Sequence, residues 1–160
     1  MNISREYIHT FDVVGEMLHL VNKYDIPIKL LELEITETTD SEGVSDVVQK
    51  MKDAGFTMLM DDFGSGYSSL NMLQKTQFDV LKIDRGFLSE FMESSRGRKI
   101  ISHTISMSRD IGLDIIAEGV ETPEQASFLS DCGYDSAQGF YYSKPITQEE
   151  FDKMLVEVNK

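Results

Sequence analysis

Apolar and polar positions along the chain switch repeatedly between a helical spacing and short continuous runs. Over residues 10–24, Phe11, Val14, Met17, Leu18 and Val21 recur at helical spacing, and Pro27 lies just past the expected stop. Residues 28–35 read as a strand with Glu34 and Glu37 at its C-terminal end. Ser41 is expected to cap a helix carrying Val44, Val47, Val48 and Met51, which closes at Ala54 and Gly55. The run 56–60 is too short for a helix and reads as a buried strand, terminated by Asp61 and Asp62 with their side chains on opposite sides of the backbone.

After the paired carboxylates, Gly64, Ser65, Gly66 and Tyr67 form a loop of permissive glycines and hydroxyls, followed by a short helix around Leu70 and Leu73. Residues 79–84 are the next strand, and the charged stretch 90–98 reads as a surface connection. Ile100, Ile101, Thr104, Ile105 and Ile111 mark a helix ending at Gly112, and residues 113–117 form a strand running into Glu118. Thr122-Pro123-Glu124-Gln125 is a capping box with proline at the first helical position, opening a helix that closes at Gly133. A short strand over 134–137 ends at Gln138, and Thr147 to Glu150 opens a last helix with Phe151, Met154, Leu155 and Val158 on one face.

Three helices therefore close on glycine and lead into strands that finish on polar groups. Such βα alternation predicts an α/β fold with parallel strands, either a (β/α) barrel or an open doubly wound sheet, both of which place their sites at C-terminal strand ends. Two adjacent carboxylates at such an end, followed by a glycine loop, suggest a metal site with a lid.

Composition narrows this picture. With 28 acidic against 15 basic residues the net charge is −13, which argues against broad contact with DNA, RNA or an anionic membrane. A phosphate-bearing substrate would need cations to offset the repulsion. No apolar segment is long enough to insert in a membrane and the first residues lack a signal-peptide core, so a cytoplasmic location is expected. The single cysteine, Cys132, is expected to be a buried structural thiol, and His9, His19 and His103 lack metal-ligand spacing.

The segments Leu-Glu-Leu-Glu-Ile-Thr-Glu (31–37), Asp-Asp-Phe-Gly-Ser-Gly-Tyr-Ser-Ser-Leu (61–70), Lys-Ile-Asp-Arg (82–85), Ala-Glu-Gly-Val-Glu-Thr (117–122) and Gln-Gly-Phe-Tyr-Tyr-Ser-Lys-Pro (138–145) resemble, in order and spacing, the EAL domain family. The resemblance implies a (β/α) TIM-type barrel that hydrolyses cyclic di-GMP to linear pGpG with two Mg²⁺ or Mn²⁺ ions. By the same resemblance Asn2, Glu34, Asp61 and Asp62 are metal ligands, Lys82 and Glu118 position and activate the attacking water, and Gln138 holds a water at the metals. Glu37 anchors the glycine loop, Gly64, Ser65, Gly66 and Tyr67 form that substrate loop, and Glu121 lies behind the ligands.

The resemblance also implies that the family's Glu-Ala-Leu strand lies upstream of Met1. Residues 1–160 are therefore expected to be an incomplete EAL domain, with five strands and a stub around Asn2 where a closed barrel takes about 250 residues. Activity of this chain is correspondingly expected to be reduced or lost. Family habit further implies a homodimer formed near the glycine loop and an upstream sensory or GGDEF domain. Two readings compete: a non-hydrolysing cyclic di-GMP receptor, and a barrel enzyme using Lys82 as a Schiff-base amine, which its acidic surroundings disfavour.

Overall fold

The computed structural model describes residues 1–10, 12–36, 43–65 and 69–158. Five parallel strands form one sheet in chain order: β1 (Glu32–Thr36), β2 (Thr57–Phe63), β3 (Val80–Ile83), β4 (Asp114–Ala117) and β5 (Ser136–Ala137). Each strand therefore lies beside its successor, joined by a helical crossover, as parallel pairing demands. The stub expected at Asn2 forms one parallel bridge to Glu34, on the far side of β1 from β2. The α/β alternation and parallel sheet agree with the sequence.

Eight α-helices occur among the described residues: α1 (Arg5–Thr10), α2 (Val13–Tyr24), α3 (Val44–Asp53), α4 (Ser69–Lys75), α5 (Arg85–Met92), α6 (Ser95–Asp110), α7 (Pro123–Cys132) and α8 (Gln148–Val158). Local chemistry sets their ends. Asp12 caps α2 by accepting from the Gly15 N–H, and Asp25 closes it in the left-handed conformation with its N–H on the Val21 carbonyl. The capping box forms as expected, Gln125 and Thr122 bonding each other's backbone, and Gly133 closes α7 at φ 78°. Thr147 and Glu150 reproduce the same exchange at the start of α8.

Several expectations shift. Residues 28–30 form a 3₁₀ turn behind Pro27 rather than the start of a strand; the Leu30 N–H bonds the Pro27 carbonyl and the Leu30 side chain faces solvent, so the apolar run is not one buried stretch. The helix expected over 10–24 starts at Val13, with a separate short helix before it. Residues 90–98 are mostly helical, because Ser94 caps α6 just two residues after α5 ends. The strand expected over 134–137 narrows to two residues. Most consequentially, β2 does not stop at Met60 but runs through Asp61 and Asp62 to Phe63, with the ladder to β3 broken between Met60 and Phe63. Phe11, Glu37, Ser41, Gly66 and Tyr67 lie outside the described residues.

Two contiguous apolar clusters hold the sheet. One gathers Met17 and Val21 of α2, Val48 and Met51 of α3, and Leu33, Ile35, Met58 and Met60 of β1 and β2. The other joins Leu88 of α5, Ile101 and Ile105 of α6, Leu129 of α7, and Ile83 and Ile115 of β3 and β4. Leu33, Ile35, Met60, Leu81, Ile83 and Ile115 are fully buried. At roughly 1.5–3 kcal/mol for each large apolar side chain, this burial fixes strand register, which in turn decides which polar residues reach the strand ends. Cys132 is half-buried rather than buried; burial is the largest influence on its thiol and pushes its pKa up. No described helix is long and apolar enough to cross a membrane.

Candidate functional site

The C-terminal ends of successive strands deliver one polar residue after another: Glu34 from β1, Asp61 from β2, Lys82 from β3, Glu118 directly after β4 and Gln138 directly after β5. Parallel registers Thr36 with Asp61 and Lys82 with Ile116 place these residues at one end of the sheet.

Lys82 lies in the middle. Its Nζ is 3.0 Å from Glu34 Oε1, 2.9 Å from Asp61 Oδ1 and 2.7 Å from Glu118 Oε1. An ammonium has three protons to donate, and three carboxylates take them. Burial pulls the Lys82 pKa down, but the bonds to Glu118, Asp61 and Glu34 outweigh it and hold the ammonium well above its ordinary range. Lys82 is therefore a fixed cation at neutral pH.

Glu118 is pushed the other way. Burial raises its carboxyl pKa, and the Lys82 ammonium opposes that only in part. Its Oε1 accepts from both Lys82 and Gln138, the latter at 2.5 Å, while no described residue donates to Oε2. One oxygen is thus anchored twice, and the other is not. Gln138 owes its position to its backbone: its N–H bonds the Ala117 carbonyl and its carbonyl accepts from Val120.

Asp62 has φ 59°, left-handed backbone that a side chain seldom adopts, at the break in the β2–β3 ladder. Its N–H bonds Asp61 Oδ1 at 3.0 Å. Burial first, and then Asp61 and Asp84, push its carboxyl pKa up, with Lys82 compensating only partly. The N-terminal stub is fixed beside Glu34: the Ile3 N–H bonds the Glu34 carbonyl and the Glu34 N–H bonds the Met1 carbonyl, both at 2.8 Å. This brings Asn2 to the same strand end.

The donors offered are carboxylates and one carboxamide, the oxygen set that suits a hard divalent cation, and their mutual repulsion is only partly relieved by Lys82. Among the described residues no three acidic, imidazole or thiolate groups form a ready-made cage, because Lys82 draws Glu34, Asp61 and Glu118 onto itself. His19 and His103 are exposed on helices and take no part.

Of the remaining expected residues, Gly64, Ser65 and Glu121 are described. Gly64 has φ 98°, and a Cβ there would lie 2.4 Å from the Phe87 ring, so the loop starts tight against α5. The Ser65 N–H bonds the Asp62 carbonyl. The Glu121 carboxylate is not among the partners of Lys82; it pairs with Arg85, Nη2 to Oε1, at 2.8 Å. Arg85 is a residue that sequence reasoning left without a role, although the Lys82-Ile83-Asp84-Arg85 motif contained it. A cleft of about 550 Å³ adjoins Glu118 and Gln138, with Arg85, Phe140, Lys144 and Phe151 on its walls. A larger cleft, about 760 Å³, lies at the opposite end of the sheet beside the Lys52–Asp79 pair and is remote from this chemistry.

Comparison with known proteins places this geometry in context. The EAL domain family model matches residues 1–145. The crystal structure of the EAL domain of Mycobacterium smegmatis DcpA superposes with a TM-score of 0.90 at 32% identity, covering 98% of this chain and 71% of that one. The PaMucR phosphodiesterase in complex with c-di-GMP gives a TM-score of 0.85 at 33% identity, covering 94% of this chain and 62% of that one. Cyclic di-GMP phosphodiesterase NbdA of Pseudomonas aeruginosa is 32% identical over 146 residues, 89% of this chain but 19% of that protein. The chain spans about a fifth of the length of the curated relatives it matches.

Proposed function

The chain belongs to the EAL domain family, and from that premise we propose that it carries the catalytic centre for hydrolysis of cyclic di-GMP to linear pGpG, with turnover by residues 1–160 alone expected to be reduced. The observation that carries the reading is Glu118: one oxygen held by Lys82 and Gln138, the other unbonded among the described residues, and a carboxyl pKa raised by burial. A raised carboxyl is the better proton acceptor for a water attacking phosphorus. Lys82, held protonated, cannot be that base; it orients Glu118 and offsets developing negative charge.

Asn2, Glu34, Asp61 and Asp62 would hold the divalent cation, Mg²⁺ or Mn²⁺, and a pair of ions is the reading that two adjacent carboxylates support. Such ions would supply Lewis-acid polarisation of the scissile phosphodiester and offset its repulsion from an acidic centre. The chain's own residues do the rest: Glu118 takes the proton, Lys82 keeps it in place, Gln138 fixes its rotamer, and the adjoining cleft receives the remainder of the dinucleotide.

The test is turnover of cyclic di-GMP by the purified chain with Mg²⁺ and then Mn²⁺, following pGpG by chromatography beside Glu118→Gln. Formation of pGpG that the variant abolishes supports the reading; folded protein that forms none overturns it for this chain. A second reading, a non-hydrolysing cyclic di-GMP binder, draws on Glu34, Asp61 and Glu118 each being already paired with Lys82. Calorimetric binding that persists in EDTA, without pGpG, would favour it. An upstream signalling domain in the parent protein agrees with a relative, MucR of Pseudomonas aeruginosa, being named a bifunctional diguanylate cyclase/cyclic di-GMP phosphodiesterase, and the chain is further proposed to form a homodimer. Sedimentation showing a monomer at all concentrations would remove the dimer.

A further inference from the structure

Two cation–carboxylate pairs join the end of β3 to the end of β4, and they are in step. Lys82 meets Glu118 at 2.7 Å, and three residues further along each segment Arg85 meets Glu121 at 2.8 Å. The first pair is nearly buried and chemical in character; the second is exposed at the mouth of the cleft. Arg85 is firmly mounted. It is the first residue of α5, and Asp84 before it caps that helix by accepting from the Gly86 and Phe87 N–H groups. Its side-chain stem lies over Gly119, where φ is 63° and an added Cβ would stand 2.3 Å from Arg85 Cγ. The turn after Glu118 is thereby gripped twice, by the stem at Gly119 and by the guanidinium at Glu121.

That turn carries the rest of the site. The Glu118 N–H bonds the Ile83 carbonyl, and the Val120 N–H bonds the Gln138 carbonyl. We propose that Arg85 is a positioning residue which, through Gly119 and Glu121, fixes the 118–121 turn so that Glu118 stays oriented between Lys82 and Gln138. This rests on the reading of Glu118 as the proton acceptor, but its structural half does not need activity to be tested.

The experiment compares the full chain with Arg85→Met, which keeps the stem and removes the charge, Arg85→Lys, and the exchanged pair Arg85→Glu with Glu121→Arg. Amide hydrogen exchange is read at Val120 and Glu118 by NMR, with Leu81 and Ile115 as references. Because the pair is exposed, the expected effect is modest: exchange at Val120 about 3- to 5-fold faster in Arg85→Met, references unchanged, and wild-type protection regained in the exchanged pair. In turnover, kcat falls by a similar factor at unchanged KM, with partial rescue by Arg85→Lys. Unchanged exchange at Val120 overturns the proposal. A rise in KM alone that the exchanged pair does not rescue also overturns it, since Arg85 would then be touching substrate. If the wild-type chain makes no pGpG, the functional reading fails while exchange still decides the positioning role.

Discussion

Lys82 Nζ stands 2.7 Å from Glu118 Oε1, and this pair ties the ends of two adjacent parallel strands. Replacing Lys82 with Met leaves Glu34, Asp61 and Glu118 facing one another with 10–18% of each side chain exposed and no counter-charge. Breaking such a pair from one side is costly, and a loss of about 2–4 kcal/mol is expected in urea unfolding at pH 7. The deficit shrinks in acid as Glu118, whose carboxyl pKa is raised by burial, protonates; a deficit equal at neutral and acid pH would show that packing, not charge, holds the centre. In the wild type the ammonium pKa is raised, so its stabilisation is fully present below the ordinary lysine pKa and is lost only as pH rises through the still higher folded value.

Asp62 behaves oppositely. Its carboxyl pKa is raised by burial and by Asp61, so the fold favours the protonated form; that contribution is present in acid and is lost as pH rises through the folded pKa. Asp62→Asn removes the ionisation and keeps a residue that tolerates left-handed backbone. Its Tm is expected to exceed wild type by about 2–4 °C at pH 7, converging near pH 3. A variant that melts lower at pH 7 would contradict the assigned sign.

Divalent cation should stabilise the chain through the same carboxylates. With Mn²⁺ at a hundredfold excess over its dissociation constant the gain is about 2.7 kcal/mol, reversed by EDTA. Asp61→Asn and Asp62→Asn should each lose most of the thermal shift. An undiminished shift in both would place the ion elsewhere.

Gly64→Ala combines an unfavourable φ with a Cβ pressed into Phe87, whose ring also meets Phe63 edge-on. A loss of about 1–3 kcal/mol is expected by denaturant titration, with Phe87 displaced. Equal stability would mean that α5 yields without cost.

Much of this was legible in the chain. Gly55 just past α3, Gly133 closing α7, the capping box at Thr122, and polar residues at or next to the strand ends all report local rules, and the structure follows them. The meeting of Glu34, Asp61, Lys82 and Glu118 follows once the strands are taken as parallel and sequential, because register then aligns their ends. What local rules did not reveal are departures set by tertiary contact. Asp61 and Asp62 extend β2 instead of ending it, since pairing with β1 continues through Asp61. Residues 90–98 look like a charged connection, yet Arg98 bonds the Met92 carbonyl and Glu124 and draws that stretch into helix. Arg85 was invisible as a positioning group because its partner, Glu121, is distant in sequence and reached only through β3–β4 pairing.

The sequential strand order has a kinetic corollary. Every strand's neighbour is the next strand in the chain, so the sheet can grow by accretion, each βα unit docking on the one before it. The Lys82 cluster draws on four successive units, from β1 to the residue after β4, and is whole only when the fourth has docked. Until then Lys82 lacks Glu118, and the cluster's last proton bond is a late marker of folding. Pulse-labelled exchange should find the Leu59 and Leu81 amides protected before that of Glu118; simultaneous protection would indicate all-or-none assembly instead.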